Sequence, residues 1–135
     1  LGGAGNLSLA GVPVETRPWT EATEVTEIQQ FDVGIMPLPD EPFERGKCGY
    51  KLIQYMACSL PVVASPVGVN QKIVEPGLNG FLADTHEEWV QALNTLRASP
   101  ELRARMGAAG RAQVEQTYSL QATSPKLLKL LTTAY

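Results

Sequence analysis

Histidine is nearly absent from this chain, with His86 alone, and cysteine is scarce, at Cys48 and Cys58. Two cysteines in 135 residues cannot build a disulfide framework, so both are read as reduced thiols. No His/Cys/Asp/Glu spacing resembles a metal site, and no metal or other cofactor is expected. Charge is modest as well. Only 19% of residues are charged and the net charge is -3, which leaves no basic footprint for nucleic acid and no basic patch for an anionic membrane. No apolar run approaches the roughly 20 residues that span a bilayer. The opening Leu1-Gly2-Gly3-Ala4-Gly5 lacks an initiator Met, a basic region and a cleavage pattern. It reads as the tail of a strand entering a glycine-rich loop, and the chain is expected to be a piece of a longer protein. Ser8 stands where a dinucleotide fingerprint would need a third glycine after Gly3 and Gly5.

What is present is an ordinary globular composition, 44% hydrophobic, enough for about one core. Val12-Pro13-Val14-Glu15 reads as a short extended stretch. Thr20 then caps a helix with Glu21 and Glu24 near its positive end, and Val25, Ile28 and Phe31 are expected to form its buried stripe. Asp32 to Leu38 is a buried parallel strand, and residues 39–49, broken by Pro39, Pro42, Gly46 and Gly49, are expected to be irregular. A helix follows from Tyr50 to Ser59, with Leu52 and Ile53 stacked on Met56 and Ala57, and Pro61 ends it. Val62 to Ser65 and Gly80 to Ala83 are further strands, with a helical turn at Lys72 to Glu75 between them. Strands that alternate with helices predict a parallel α/β sheet.

The carboxyl third is helical. Thr85 and Glu88 form a capping box, and Trp89, Leu93 and Leu96 share a face. Ser99-Pro100 starts another helix whose inner side carries Leu102, Met106 and Ala109, and the charges from Glu101 to Glu115 form its solvated face. Leu127, Leu130, Leu131 and Ala134 mark a last amphipathic helix, with Trp89, Leu127 and Leu131 as core or docking residues. His86, just after the cap, belongs to a solvated helix start.

The chemistry concentrates in Glu41 to Lys51, between a strand and a helix, where open α/β sheets bind ligands. Gly46 and Gly49 let backbone approach a ligand, and the helix start with Arg45, Lys47 and Lys51 beside it suits an anion such as a diphosphate. Tight turns need glycine in any case, so composition alone leaves a structural loop open.

The run Gly46-Lys47-Cys48-Gly49-Tyr50-Lys51, continued through Gln54-Tyr55-Met56-Ala57-Cys58-Ser59-Leu60-Pro61-Val62-Val63-Ala64 and then Gly77-Leu78-Asn79-Gly80-Phe81-Leu82, resembles the carboxyl domain of GT-B glycosyltransferases of the retaining group 1 family. That family writes the helix E-A-M-A-x-G-x-P-V-V-A and follows it with N-G-x-L. The likeness runs from Val12 to about Ser119. It implies an α/β, Rossmann-like parallel sheet flanked by helices, the carboxyl-terminal half of a GT-B fold and incomplete. Residues 1–119 would be a partial nucleotide-sugar-binding domain, and residues 120–135 a helix that packs back on an amino-terminal domain of the same protein.

The implied function is transfer of a hexose from a nucleotide sugar to a glycan or glycolipid with retention, in the cytoplasm, peripheral to the inner membrane face through the other domain. Gly46, Lys47, Cys48, Gly49, Tyr50, Lys51, Gln54 and Trp19 are the implied donor-binding residues, with Trp19 matching a position set against the base. The family's paired glutamates fall here at Gly46 and Gln54, so neither carboxylate is present. Glu44 is the substitute candidate for the first, and the Gln54 amide can still bond a ribose hydroxyl. A nucleotide-sugar binder without catalysis is the alternative, and an exposed sheet edge or terminal helix allows a homodimer.

Overall fold

A computed structural model describes residues 9–133, so the Gly3 and Gly5 loop, Ser8 and Ala134 lie outside the described residues. Three parallel strands, β1 (Gly34–Met36), β2 (Val62–Ala64) and β3 (Gly80–Leu82), pair in the order β1-β2-β3. Gly34 sits opposite Val62, and Val62 opposite Gly80. Each strand feeds helices: α1 (Glu21–Ile28) precedes β1, α2 (Pro42–Arg45) and α3 (Tyr50–Ala57) follow it, and α4 (Asn70–Ile73) follows β2. Beyond β3 come α5 (His86–Ala98), α6 (Pro100–Gln113), a π-helical turn at Val114–Tyr118 and α7 (Leu120–Thr133).

The central strand explains the layering. Val62, Val63 and Ala64 are all fully buried, which requires cover on both faces. Successive side chains point oppositely, so Val62 and Ala64 join Leu52, Met56 and Ile73 on one face, while Val63 joins Ala92, Leu96 and Met106 on the other. The expected parallel α/β sheet is therefore present.

Several local expectations need correction. Val12 only bridges Leu9 across a turn, and Pro13 to Thr20 has no regular structure, because Pro13 lacks an N–H and no strand lies alongside. In α1, Ile28 alone is buried, while Val25 and Phe31 are exposed. The helix has only two turns and meets the core at its end; Phe31 lies past it, tilted against Tyr55. Pro42–Arg45 is a helical turn rather than irregular chain, since proline at the first position gives up an N–H that would be unbonded anyway. In α5 the capping box forms and Trp89 and Leu96 pack inward as expected, but Ala92 takes the place given to Leu93, which is exposed. On α6 the close contact belongs to buried Gly107 and Gly110. Leu127 and Leu131 are exposed, so they are not core residues; α7 touches the rest mainly through the π turn.

Two details yield predictions. The Leu60 N–H donates to Tyr55 O at 3.1 Å and the Ser59 N–H to Met56 O at 2.9 Å, a Schellman close to α3. Ser59 occupies its left-handed position at φ 60°, where a Cβ is costly. Ser59→Gly is expected to stabilise the fold by about 0.5–1 kcal/mol in urea denaturation.

Asn79 of the N-G-x-L stretch is buried and turned inward. It accepts from the Glu75 N–H at 2.9 Å and donates to Ile73 O at 3.0 Å and Gln113 Oε1 at 2.6 Å. Asn79→Ala leaves the Glu75 N–H without its acceptor while Ile73 O keeps the Gln113 amide at 3.2 Å, and a loss of about 2 kcal/mol is expected in the same measurement.

Candidate functional site

The carboxyl ends of β1 and β2 open onto one side of the molecule, and the loops leaving them are tied together. The Ser65 N–H donates to Met36 O at 3.2 Å, and the Leu38 N–H donates to Ser65 Oγ at 3.0 Å. Gly68, at φ 55°, lies so close to the end of α2 that a Cβ would sit 2.6 Å from Arg45 O. Gly49, at φ 69°, begins α3 in the left-handed region, and a Cβ there would meet Ile73 Cδ1 at 2.4 Å. Glycine at these positions lets the segment from α2 to α3 lie flat on the α4 loop.

The result is an open cleft of about 760 Å³ lined by Gly46, Lys47, Cys48, Gly49, Tyr50 and Lys51, with Met36, Pro42 and Phe43 as its apolar wall. The sequence-derived loop residues are thus brought together. Gly49 caps α3 without any side-chain bond, so the first N–H groups of that helix remain available at the cleft. Cys48 and Tyr50 are exposed there.

The charges are arranged less simply than the sequence implied. Lys47 lies 3.7 Å from Glu44 and 5.3 Å from the centroid of the Phe43 ring. Lys51 reaches across to α1 and pairs with Glu24 at 2.8 Å. Arg45 is bound by Asp40 at 2.7 and 3.0 Å and does not line the cleft, so the expected trio of cations reduces to two lysines. The Arg45 guanidinium holds the Asp40 carboxyl below its usual range.

Glu44 is corrected too. It turns towards Lys47 and is absent from the cleft lining, and its Oε2 is buried without a donor. Among the described residues, no carboxylate lines the space beside Gly46. Gln54, one turn into α3, is partly buried and its Oε1 also has no donor.

Trp19 is not in this cleft. It is half exposed and lines a second, smaller one of about 290 Å³ with Pro18, Phe31, Arg17 and Glu24. Arg17 latches the loop that carries Trp19, bonding Glu15 at 2.8 and 3.0 Å and also Glu27. The Lys51 ammonium, bonded to it at 2.8 Å, holds the Glu24 carboxyl below the ordinary range. Glu24 lines the smaller cleft and Lys51 the larger, so the two clefts meet at the Glu24–Lys51 pair. Sequence reasoning had assigned Glu24 only to the helix dipole. Its partner lies 27 residues away, and no local spacing signals that.

Residues 8–99 match the family described as glycosyl transferases group 1, more than half of the chain. The chain belongs to that family. Among curated relatives, a D-inositol 3-phosphate glycosyltransferase of Thermomonospora curvata is 34% identical over 105 residues, covering 76% of this chain and 23% of that protein. Spore coat protein SA of Bacillus subtilis is 31% identical over 78 residues, covering 56% of this chain and 21% of that one. The chain thus spans about a quarter of the length of the curated relatives it matches.

Among solved structures, sucrose-phosphate synthase from Thermosynechococcus elongatus superposes with a TM-score of 0.63 at 29% identity, over 77% of this chain and 26% of that one. Anabaena HepE in complex with UDP and glucose gives a TM-score of 0.69 at 24% identity, over 79% and 29% of the two chains, a likeness of fold. The group 1 glycosyltransferase chain therefore carries part of a GT-B fold, as its sequence resemblance implied. Among its described residues, no helix is long and apolar enough to cross a membrane.

Proposed function

We propose that this group 1 glycosyltransferase chain supplies the donor-binding part of an enzyme that moves a hexose from a nucleotide sugar to a glycan or glycolipid, with retention of configuration. The observation that carries this reading is the uncapped start of α3, which opens into a cleft bearing Lys47 and Lys51. A nucleoside diphosphate fits that combination. Its oxygens take the Tyr50 and Lys51 N–H groups, the helix dipole favours its charge, and the lysines stabilise it as it departs. The base points towards Trp19 in the adjoining cleft, and the sugar towards Gly46.

On this reading the acceptor belongs to an amino-terminal domain, and α7 packs on that domain. Leu120, Leu127, Leu128, Leu130 and Leu131 are all more than half exposed and supply an apolar face for it. The enzyme works in the cytoplasm at the inner face of the membrane.

A second reading is favoured by one observation: no carboxylate lines the cleft where the family's first glutamate would stand. The protein would then hold a nucleotide sugar without transferring it. Incubation of the full-length protein with UDP-glucose and GDP-mannose distinguishes the two, with donor cleavage and the anomer of the released sugar followed by NMR. Cleavage that first yields the donor's own anomer supports the retaining transferase. Donor binding without cleavage selects the second reading, and absence of binding overturns both.

A further inference from the structure

Both ammonium groups of the cleft have a resident carboxylate, but the two pairs differ. Lys47 stands 3.7 Å from Glu44, a loose contact, and leans over the Phe43 ring. Lys51 and Glu24 are in direct contact at 2.8 Å, with the Glu24 side chain only 13% exposed and that of Lys51 36% exposed. Glu24 reaches Lys51 from a different helix, α1, and from the neighbouring cleft. An anion at the start of α3 and the Glu24 carboxylate therefore compete for one ammonium.

We propose that Glu24 is the residue that sets anion affinity in this cleft, acting as a built-in counterion that an incoming diphosphate must displace from Lys51. The inference rests on the donor-site reading and goes beyond it by adding a residue of opposite sign to that of the ligands. Without its charge, Lys51 would face the cleft unopposed. With it, the site has little pull on weakly charged ligands, and occupancy depends on a ligand that brings enough negative charge to take over the lysine.

The energetic scale is that of a partly exposed ion pair, so removing the carboxylate charge should improve anion binding about fivefold. Because the pull of the freed ammonium grows with ligand charge, the gain should be larger for pyrophosphate than for orthophosphate and absent for uridine, which is neutral.

The test is calorimetric titration of the full chain with inorganic pyrophosphate, orthophosphate and uridine, repeated on Glu24→Gln, Lys51→Met and the double variant. Glu27→Gln removes the same charge from the same helix, but from a residue that faces Arg17. The expected result is pyrophosphate binding about fivefold tighter in Glu24→Gln, within twofold of wild type in Glu27→Gln, and no gain when Lys51→Met is also present. Weaker or unchanged pyrophosphate binding in Glu24→Gln overturns the counterion role, and so does a gain that survives Lys51→Met. In either of those cases measurable binding to the wild type leaves the donor-site reading standing. No binding of any probe to any folded variant overturns both.

Discussion

Gly107→Ala is expected to cost at least about 3 kcal/mol of folding stability, the largest loss from adding one methyl group to this chain. A Cβ at Gly107 would stand 1.9 Å from Ser59 O and 2.7 Å from Ser59 C. Both atoms are backbone, and the peptide they belong to is held by the Leu60 N–H bond to Tyr55 O that closes α3. Neither side has a rotamer to give, so relief requires α6 to move off α3 and expose Met56 and Met106. Alanine's better helix propensity returns only about 1 kcal/mol. Gly110, one turn along, makes the control. Its added Cβ would meet Met56 Cγ at 3.0 Å, and that side chain is flexible. Gly110→Ala should therefore stay within about 1 kcal/mol of the parent. Urea denaturation of both variants checks the contrast, and equal stabilities would show that α6 does not rest on Ser59.

Lys51→Ala should weaken UDP binding by about tenfold or more, the largest expected effect on function. The substitution removes a charged hydrogen-bond donor from the cleft. It also leaves Glu24, only 13% exposed, without the partner that now neutralises it at 2.8 Å. Adding Glu24→Gln to Lys51→Ala should give no further recovery, since the carboxylate opposes the anion through its hold on the lysine. Lys72 is exposed on α4 and does not line the cleft, so Lys72→Ala should leave binding unchanged. Calorimetric titration of UDP into the four proteins reads all of these outcomes. An unaltered affinity in Lys51→Ala would move the phosphates elsewhere.

The parts of the fold written in short-range patterns were legible. The apolar run Val62 to Ala64 between two prolines is the central strand, and the Thr85–Glu88 capping box forms as its spacing requires. Ser99-Pro100 likewise opens α6. Failures came where a neighbour distant in sequence decides the outcome. Val12 to Glu15 has strand-like residues, but a strand needs a partner, and none pairs with it among the described residues. Val25 and Leu93 have helical spacing with Ile28 and Leu96, yet the core touches only part of each helix.

The site follows the same rule. That Gly46 to Lys51 form one loop at a helix start was legible because glycines and lysines coincide within six residues of chain. What each lysine faces was not. Glu24 enters from α1, Arg45 is drawn aside by Asp40, and Glu44 turns to Lys47 instead of filling the place beside Gly46. These are choices among carboxylates at different sequence distances, and only the packed chain resolves them.

The most direct measurement is a crystal structure of the protein with UDP bound. The diphosphate is expected at the start of α3, within hydrogen-bond distance of the Tyr50 and Lys51 N–H groups. Lys51 Nζ should be drawn from Glu24 to a phosphate oxygen, and the uracil should lie towards Trp19. A diphosphate bound against Arg17 in the smaller cleft, with the Glu24–Lys51 pair intact and the start of α3 empty, would contradict it.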